Sequence, residues 1–178
     1  ALQGAKESTR AALLFLSQLF GWNSLRLSQH AHQILQEAWD RVIKDMLTHH
    51  GLTLTQACVV GLAGGPQMLW PAYSDCLFAI VQAAALSQHV EGSNSAEPSS
   101  SLNEAMIQHW LYTSMSAAVS SSKSTMTAET CNEVISILLN LARQGPKSRT
   151  NAKMLLSDFA KITKGEMAPN ALASYALS

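Results

Sequence analysis

The stretch from Gly51 to Ala85, GLTLTQACVVGLAGGPQMLWPAYSDCLFAIVQAAA, constrains the fold more than any other part of the chain. Small and apolar residues at Leu52, Leu54, Ala57, Cys58, Gly61 and Leu62 recur three and four apart, the spacing of one helix face. Gly64-Gly65-Pro66 then predicts an end and a restart, because glycine accepts the left-handed backbone of many helix ends and proline suits a first turn. In the second arm Tyr73, Cys76, Leu77, Ile80, Val81 and Ala84 form a stripe that Phe78 and Ala85 widen. Burying each large side chain of this kind contributes roughly 1.5–3 kcal/mol. Two such helices joined by a short turn pack antiparallel, and each needs neighbours on both sides. Pro71 predicts a kink or a late start in the second arm.

The rest of the chain has the same texture. Its 178 residues suffice for one domain with a real core, and only 13% are charged against 47% hydrophobic. So little charge predicts apolar surface covered by further chain or a partner. The formal net charge of zero gives no global field directed at nucleic acid or membrane. Cys58, Cys76 and Cys131 are odd in number and sit on apolar faces, which suits buried, reduced thiols of the cytosol or nucleus. There is no signal peptide, no run of 18 apolar residues and no initiating methionine, so the chain reads as a piece of something longer.

Helices are expected at about 5–20, 29–63, 66–89, 102–119, 127–144 and 149–164, with a linker at 91–101 and a flexible tail at 167–178. The first carries Ala11, Ala12, Phe15, Leu16 and Leu19 as its stripe and closes at Gly21. The second runs through Ile34, Leu35, Ala38, Trp39, Val42, Ile43 and Met46, and its phase carries on past Gly51. Continuity there is favoured over a helix end at His49-His50-Gly51, although an internal glycine costs about 1 kcal/mol against alanine. Ser101 and Glu104 have capping-box spacing, as do Thr130 and Glu133, with Thr127 the other candidate start. Met106, Trp110, Met115 and Ala118, then Val134, Ile137, Leu138 and Leu141, then Ala152, Leu155, Leu156, Phe159 and Ile162 mark the last three helices. Gly145-Pro146 separates the final two. No strand run of period two appears. The pattern predicts an all-α fold, an α-solenoid of antiparallel hairpins of HEAT or armadillo type and a fragment of a longer superhelix. A closed bundle of helices is the competing architecture, and apolarity on two sides of each helix favours the solenoid.

Sharper chemistry finds little support. His30, His32, His49 and His50 lack ligands at the spacing a helix-borne metal site needs. Gly61, Gly64 and Gly65 lack the Lys-Ser/Thr of a phosphate loop and follow a helix. Ser74, Asp75 and His89 have no nucleophile elbow. No catalytic, cofactor or metal site is expected. Two features suit a binding module. Trp70, beside Pro71 at a turn, could meet a partner aromatic, although a tryptophan is more often core. Arg143, Lys147, Arg149, Lys153, Lys161 and Lys164 make the C-terminal end basic, either as a solvated face or as a patch for an acidic or phosphorylated partner.

The segment THHGLTLTQACVVGLAGGPQMLWPAYSDCLFAIVQ, with Gly51, Gly64, Gly65, Tyr73, Ser74, Asp75, Leu77, Phe78 and Ala79, resembles the C-terminal repeats of karyopherin-β receptors of the importin-13 and transportin-SR type. Trp110 after an apolar-rich turn and the ending ARQGPKSRTNAKMLLSDFAKITKGE extend the likeness from Ala31 to Glu166. The segment at 91–101 looks like an insertion, and the last helix is less basic than such receptors carry. The resemblance implies a non-catalytic nuclear transport receptor that shuttles between nucleus and cytoplasm. It implies protein cargo, including SR-type nuclear proteins, nucleoporins, and RanGTP held mainly by repeats outside this chain. It implies no direct nucleic-acid or membrane contact. Trp70, Lys147, Arg149 and Lys153 are the residues expected to meet cargo or another partner. The helices from Gln67 and Thr127 are expected to face inward and those from Ala31 and Ser101 outward.

Overall fold

The structure, a computed structural model, describes residues 2–21, 29–86, 99–121, 126–168, 170 and 172. Six α-helices follow in order: α1 (Leu2–Phe20), α2 (Gln29–Gly64), α3 (Trp70–Leu86), α4 (Ser99–Ser121), α5 (Ala128–Arg143) and α6 (Arg149–Thr163). Short 3-10 turns at Gln67–Leu69 and Pro146–Ser148 lead into α3 and α6. Among the described residues no strand occurs.

α2 is continuous through Gly51, a helix of 36 residues spanning about 54 Å. The glycine is there for its neighbour, since a Cβ at Gly51 would collide with the Trp110 indole of α4. Gly61 has the same role against α3, where the Tyr73 ring occupies the space a side chain would need. α2 thus meets two partners where its own side chain is missing, which brings the aromatic rings onto its backbone. The turn after α2 differs from the sequence expectation. Gly64 and Gly65 have no positive φ; a Cβ on Gly65 would meet the Gly61 carbonyl, to which the Gly65 N–H donates at 2.8 Å. Left-handed backbone occurs instead at Gly145 (φ 82) and Gly165 (φ 74), where α5 and α6 finish. Pro71 falls in the first turn of α3, so it delays that helix behind a 3-10 turn and breaks nothing.

α3 lies at the centre. Cys76, Leu77, Phe78, Ala79, Ile80 and Val81 are consecutive and all buried, so along this stretch no face of the helix is left for water. All five other α-helices pack on it. Together with its leading turn, Gln67–Leu86 is long and apolar enough by composition to cross a membrane, and here that segment is the core. Around it two layers form: α3 touches both α1 and α5, while α2 touches α4. α6 returns to lie along α3, α5 and α2, contacts that a row of hairpins meeting only its neighbours does not require.

Several helix faces differ from the predicted stripes. α1 buries Leu13, Ser17 and Phe20, whereas Ala11, Ala12, Leu14 and Phe15 are exposed, because α3 is its main partner and touches only one side. In α2 Thr55 and Val59 are fully buried while Ala57 is exposed. Ile107 and Leu111 join Trp110, Met115 and Ala118 in the core of α4. That helix begins at Ser99, two residues before the predicted cap, and Glu104 pairs with Arg143 of α5. Thr127 is the cap of α5: its Oγ1 accepts the Thr130 N–H at 3.3 Å. The stripe of α6, from Ala152 through Ile162, is buried as expected. Three buried hydroxyls are satisfied within their helices, Ser17 donating to Leu13 O at 2.8 Å, Ser114 to Trp110 O at 2.7 Å and Thr163 to Phe159 O at 3.1 Å. Of the predicted linker, 99–101 belong to α4 and 91–98 lie outside the described residues. The predicted tail contributes to the core, where Leu172 is buried and Met167 packs against it.

Candidate functional site

α6 runs antiparallel to the start of α3, and a groove of about 460 Å³ opens between them. One wall carries Gln67 of the leading 3-10 turn and Trp70, Pro71 and Ser74 from the start of α3. The other carries Lys153, Met154, Ser157, Asp158 and Lys161, which share a face of α6 by helical periodicity. Trp70 is 3% exposed and forms a rigid apolar part of the lining. Met68 (70% exposed) and Met154 (55%) add mobile apolar surface nearby.

The polar groups around the groove centre on Asp75. Its Oδ1 lies 3.0 Å from Lys153 Nζ and 3.6 Å from Arg149 Nε, so one carboxylate is shared by two cations from adjacent turns of α6. The Lys153 contact has ion-pair distance without hydrogen-bond alignment. Asp75 Oδ1, Arg149 Nε and the indole Nε1 of Trp70 are all buried without a hydrogen-bond partner among the described residues. At the other end Lys164 Nζ stands 4.5 Å from the centre of the Trp70 ring and donates to Gly65 O at 3.1 Å. Lys161 pairs with Asp158 at 3.3 Å. The Asp75 pairs and the Lys164 contacts tie α6 and its end to α3 and the α2–α3 turn, whereas Lys161–Asp158 lies within α6, and the lysine heads stay partly in water.

Of the residues singled out in the sequence, Trp70 and Lys153 line the groove and Arg149 sits beside Lys153 on Asp75. Lys147 is exposed on the 3-10 turn before α6 and is not part of the lining. Arg143 points elsewhere, to Glu104 and to Asn140 at 3.3 Å. Asp75, Met154, Ser157 and Asp158 were not among the expected partner-binding residues. The i, i+4 spacing of Arg149 and Lys153 was a readable signal for a shared carboxylate, but its identity depends on α6 lying along α3.

Away from the groove the three thiols are buried. Cys58 and Cys76 interact across the α2–α3 seam: the hydrogen bond between the thiols, then burial, holds Cys58 well above its ordinary value, and the same bond lowers Cys76. Both are buried, as is Cys131, whose thiol is pushed up by burial. Burial, then the Cys58 charge, raises Tyr73. Ser74 is buried and Asp75 is engaged with α6, while His89 lies outside the described residues. His49 pairs with Asp45 at 3.2 Å, and no cluster of three metal-binding side chains occurs among the described residues. Trp110 is core, packed on Gly51, and the Trp39 side chain lies outside the described residues. No family model, curated protein or solved structure matches the chain.

Proposed function

We propose that this chain is the C-terminal part of a nuclear transport receptor of the karyopherin-β type, built of HEAT-like hairpins and acting as a non-catalytic scaffold for protein cargo. The observation that carries the reading is the two-layer packing, α1 to α3 to α5 in one layer and α2 to α4 in the other, contacts that stacked helical hairpins also make. The resemblance of 48–82 and of 142–166 to such receptors gives that packing its functional sense. In the intact receptor, repeats outside this chain hold most of the RanGTP contact. The groove between α3 and α6 adds to the cargo-facing surface, nucleoporins supply the contacts for passage through the pore, and the receptor shuttles between nucleus and cytoplasm.

The test is a pull-down with the full-length parent protein, comparing Ran loaded with GTP and with GDP. A receptor of this kind retains Ran in the GTP form and changes its hold on cargo when Ran binds. Equal recovery of both nucleotide forms, or none of either, removes the reading.

A second reading has its own support. α6 packs back on α2 and α3, and α3 is touched by every other α-helix, as in a closed helical domain around one central element. On that reading the chain is a helical adaptor for protein–protein contact without Ran dependence.

A further inference from the structure

We propose that the groove between α3 and α6 is a docking site for an acidic amphipathic peptide helix, whose apolar side chains lie on Trp70 and Met154 and whose carboxylates meet Lys153, Lys161 and Lys164. The proposal rests on the reading of this chain as a protein-binding scaffold and is indifferent to Ran. Shape is the first support. A trough between two antiparallel helices is lined on both sides by side chains, with no strand edge for an extended peptide to join. Such a trough takes a third helix, which presents anchors at i, i+3, i+4 and i+7.

Charge selects the occupant. Lys153 and Lys161 line the groove with Asp158, Arg149 shares Asp75 with Lys153, and Lys164 stands over the Trp70 ring, so four cations are set against two carboxylates. Lys153 and Lys161 stand two turns apart on α6, about 12 Å along its axis, which matches acidic residues spaced seven or eight apart on a bound helix. The lysines are partly exposed, and an incoming carboxylate meets their heads without stripping them of solvent first.

Unmet hydrogen bonding is the independent observation. Trp70 lines the groove with an indole N–H that is buried without a hydrogen-bond partner among the described residues, whereas Asp75 Oδ1 and Arg149 Nε, also without hydrogen bonds, are already engaged in the ion pairs on Asp75. The indole N–H is the polar capacity in the lining that the described residues leave unused. A peptide seated there brings carboxylate oxygens and draws Lys153 and Arg149 into new alignment. The exposed methionines let the apolar part of the surface adapt to the side chains that arrive.

The probe is a fluorescein-labelled synthetic helix of Leu, Ala and Glu with leucines on one face, titrated against this chain by polarisation. The control peptide has every Glu replaced by Lys. The expected result is saturable binding of the Glu peptide, weakened by added salt, with the Lys peptide at least tenfold weaker. Lys153→Gln with Lys161→Gln lowers affinity at least tenfold, as does Met154→Asp alone, while Arg41→Gln on the surface of α2 changes it less than twofold. Thermal unfolding of each variant separates lost docking from lost folding, and Met154 is exposed enough that its exchange leaves the fold intact. Equal binding of both peptides, undiminished binding by the folded groove variants, or no binding of the Glu peptide overturns the proposal. Ran takes no part in this measurement. Peptide binding by a chain whose parent ignores Ran therefore keeps the groove and removes the carrier reading, and the reverse pair of results does the opposite.

Discussion

α3 and α1 have similar lengths, 17 and 19 residues, and both are rich in apolar side chains, yet they lead different lives in the fold. α3 is buried all round from Cys76 to Val81 and is touched by all the other α-helices. α1 lies against α3 with Leu13, Ser17 and Phe20 inward and shows Leu14 and Phe15 to solvent. The difference teaches that apolar composition sets how much surface a helix can bury, while the number of partners sets how much it does. A helix with one principal partner has room to rotate its stripe; one enclosed on all sides has none.

The strongest way to break this contrast is in the centre. Leu77 is 0% exposed, and Leu77→Ala removes three carbons from a site whose neighbours come from several helices and cannot all close in. The expected loss is about 3–5 kcal/mol, read as a fall in midpoint on denaturant or thermal unfolding. A loss below about 1 kcal/mol would mean that α3 is not the packed centre.

Gly61→Ala attacks the same core from the α2 side. The added Cβ meets the Tyr73 ring, which is held between helices, so the α2–α3 seam must widen. Overpacking of this kind costs about 1–3 kcal/mol, against a gain of up to about 1 kcal/mol from the better helix former. Net destabilisation of about 1–2 kcal/mol is expected from the same unfolding measurement. A stabilised Gly61→Ala protein would show that the ring moves aside freely.

Much of this was legible from the residues. The apolar stripe of α6 is buried at all five predicted positions, and the α3 stripe is buried or partly buried throughout, because polar residues in those helices leave one phase or none in doubt. α1 was different. Ala11 through Leu16 is six apolar residues in succession, so periodicity gives no unique face, and the contact with α3 decides it. Thr55 and Ser114 were missed because a hydroxyl looks polar, although a helical Ser114 can return its proton to Trp110 O. Thr55 Oγ1 has no partner among the described residues, and nothing in the sequence announces that. In the candidate groove, Trp70, Arg149 and Lys153 were readable as a tryptophan by a turn and a basic run. Their meeting at Asp75 was not, since it depends on α6 returning along α3, a contact between segments far apart in the chain.

Leu13→Ala sharpens the comparison by making the Leu77 change in the other helix. Leu13 is 7% exposed, so most of its side chain is still removed from a buried place. With one main packing partner, α1 can shift toward the space left behind, and the remaining cavity is small. The expected cost is about 2 kcal/mol, the low end for leucine truncation. Equal losses at Leu13 and Leu77 would abolish the distinction between the helices.

Phe15→Ser is the smallest and the most informative about α1. The ring is 63% exposed, so its removal forfeits little burial, and the helix loses only the modest propensity difference between phenylalanine and serine. The expected change is within about 0.5 kcal/mol in the unfolding of this chain by itself. On the proposal that this chain is part of a longer receptor, the same substitution in that receptor separates the two readings of the fold. If another hairpin stacks on α1, Phe15 is buried there, and Phe15→Ser costs about 2 kcal/mol or more in that context while costing almost nothing in this chain. If the helices form a closed adaptor domain, the substitution is equally mild in both, and its only visible effect is a more soluble surface.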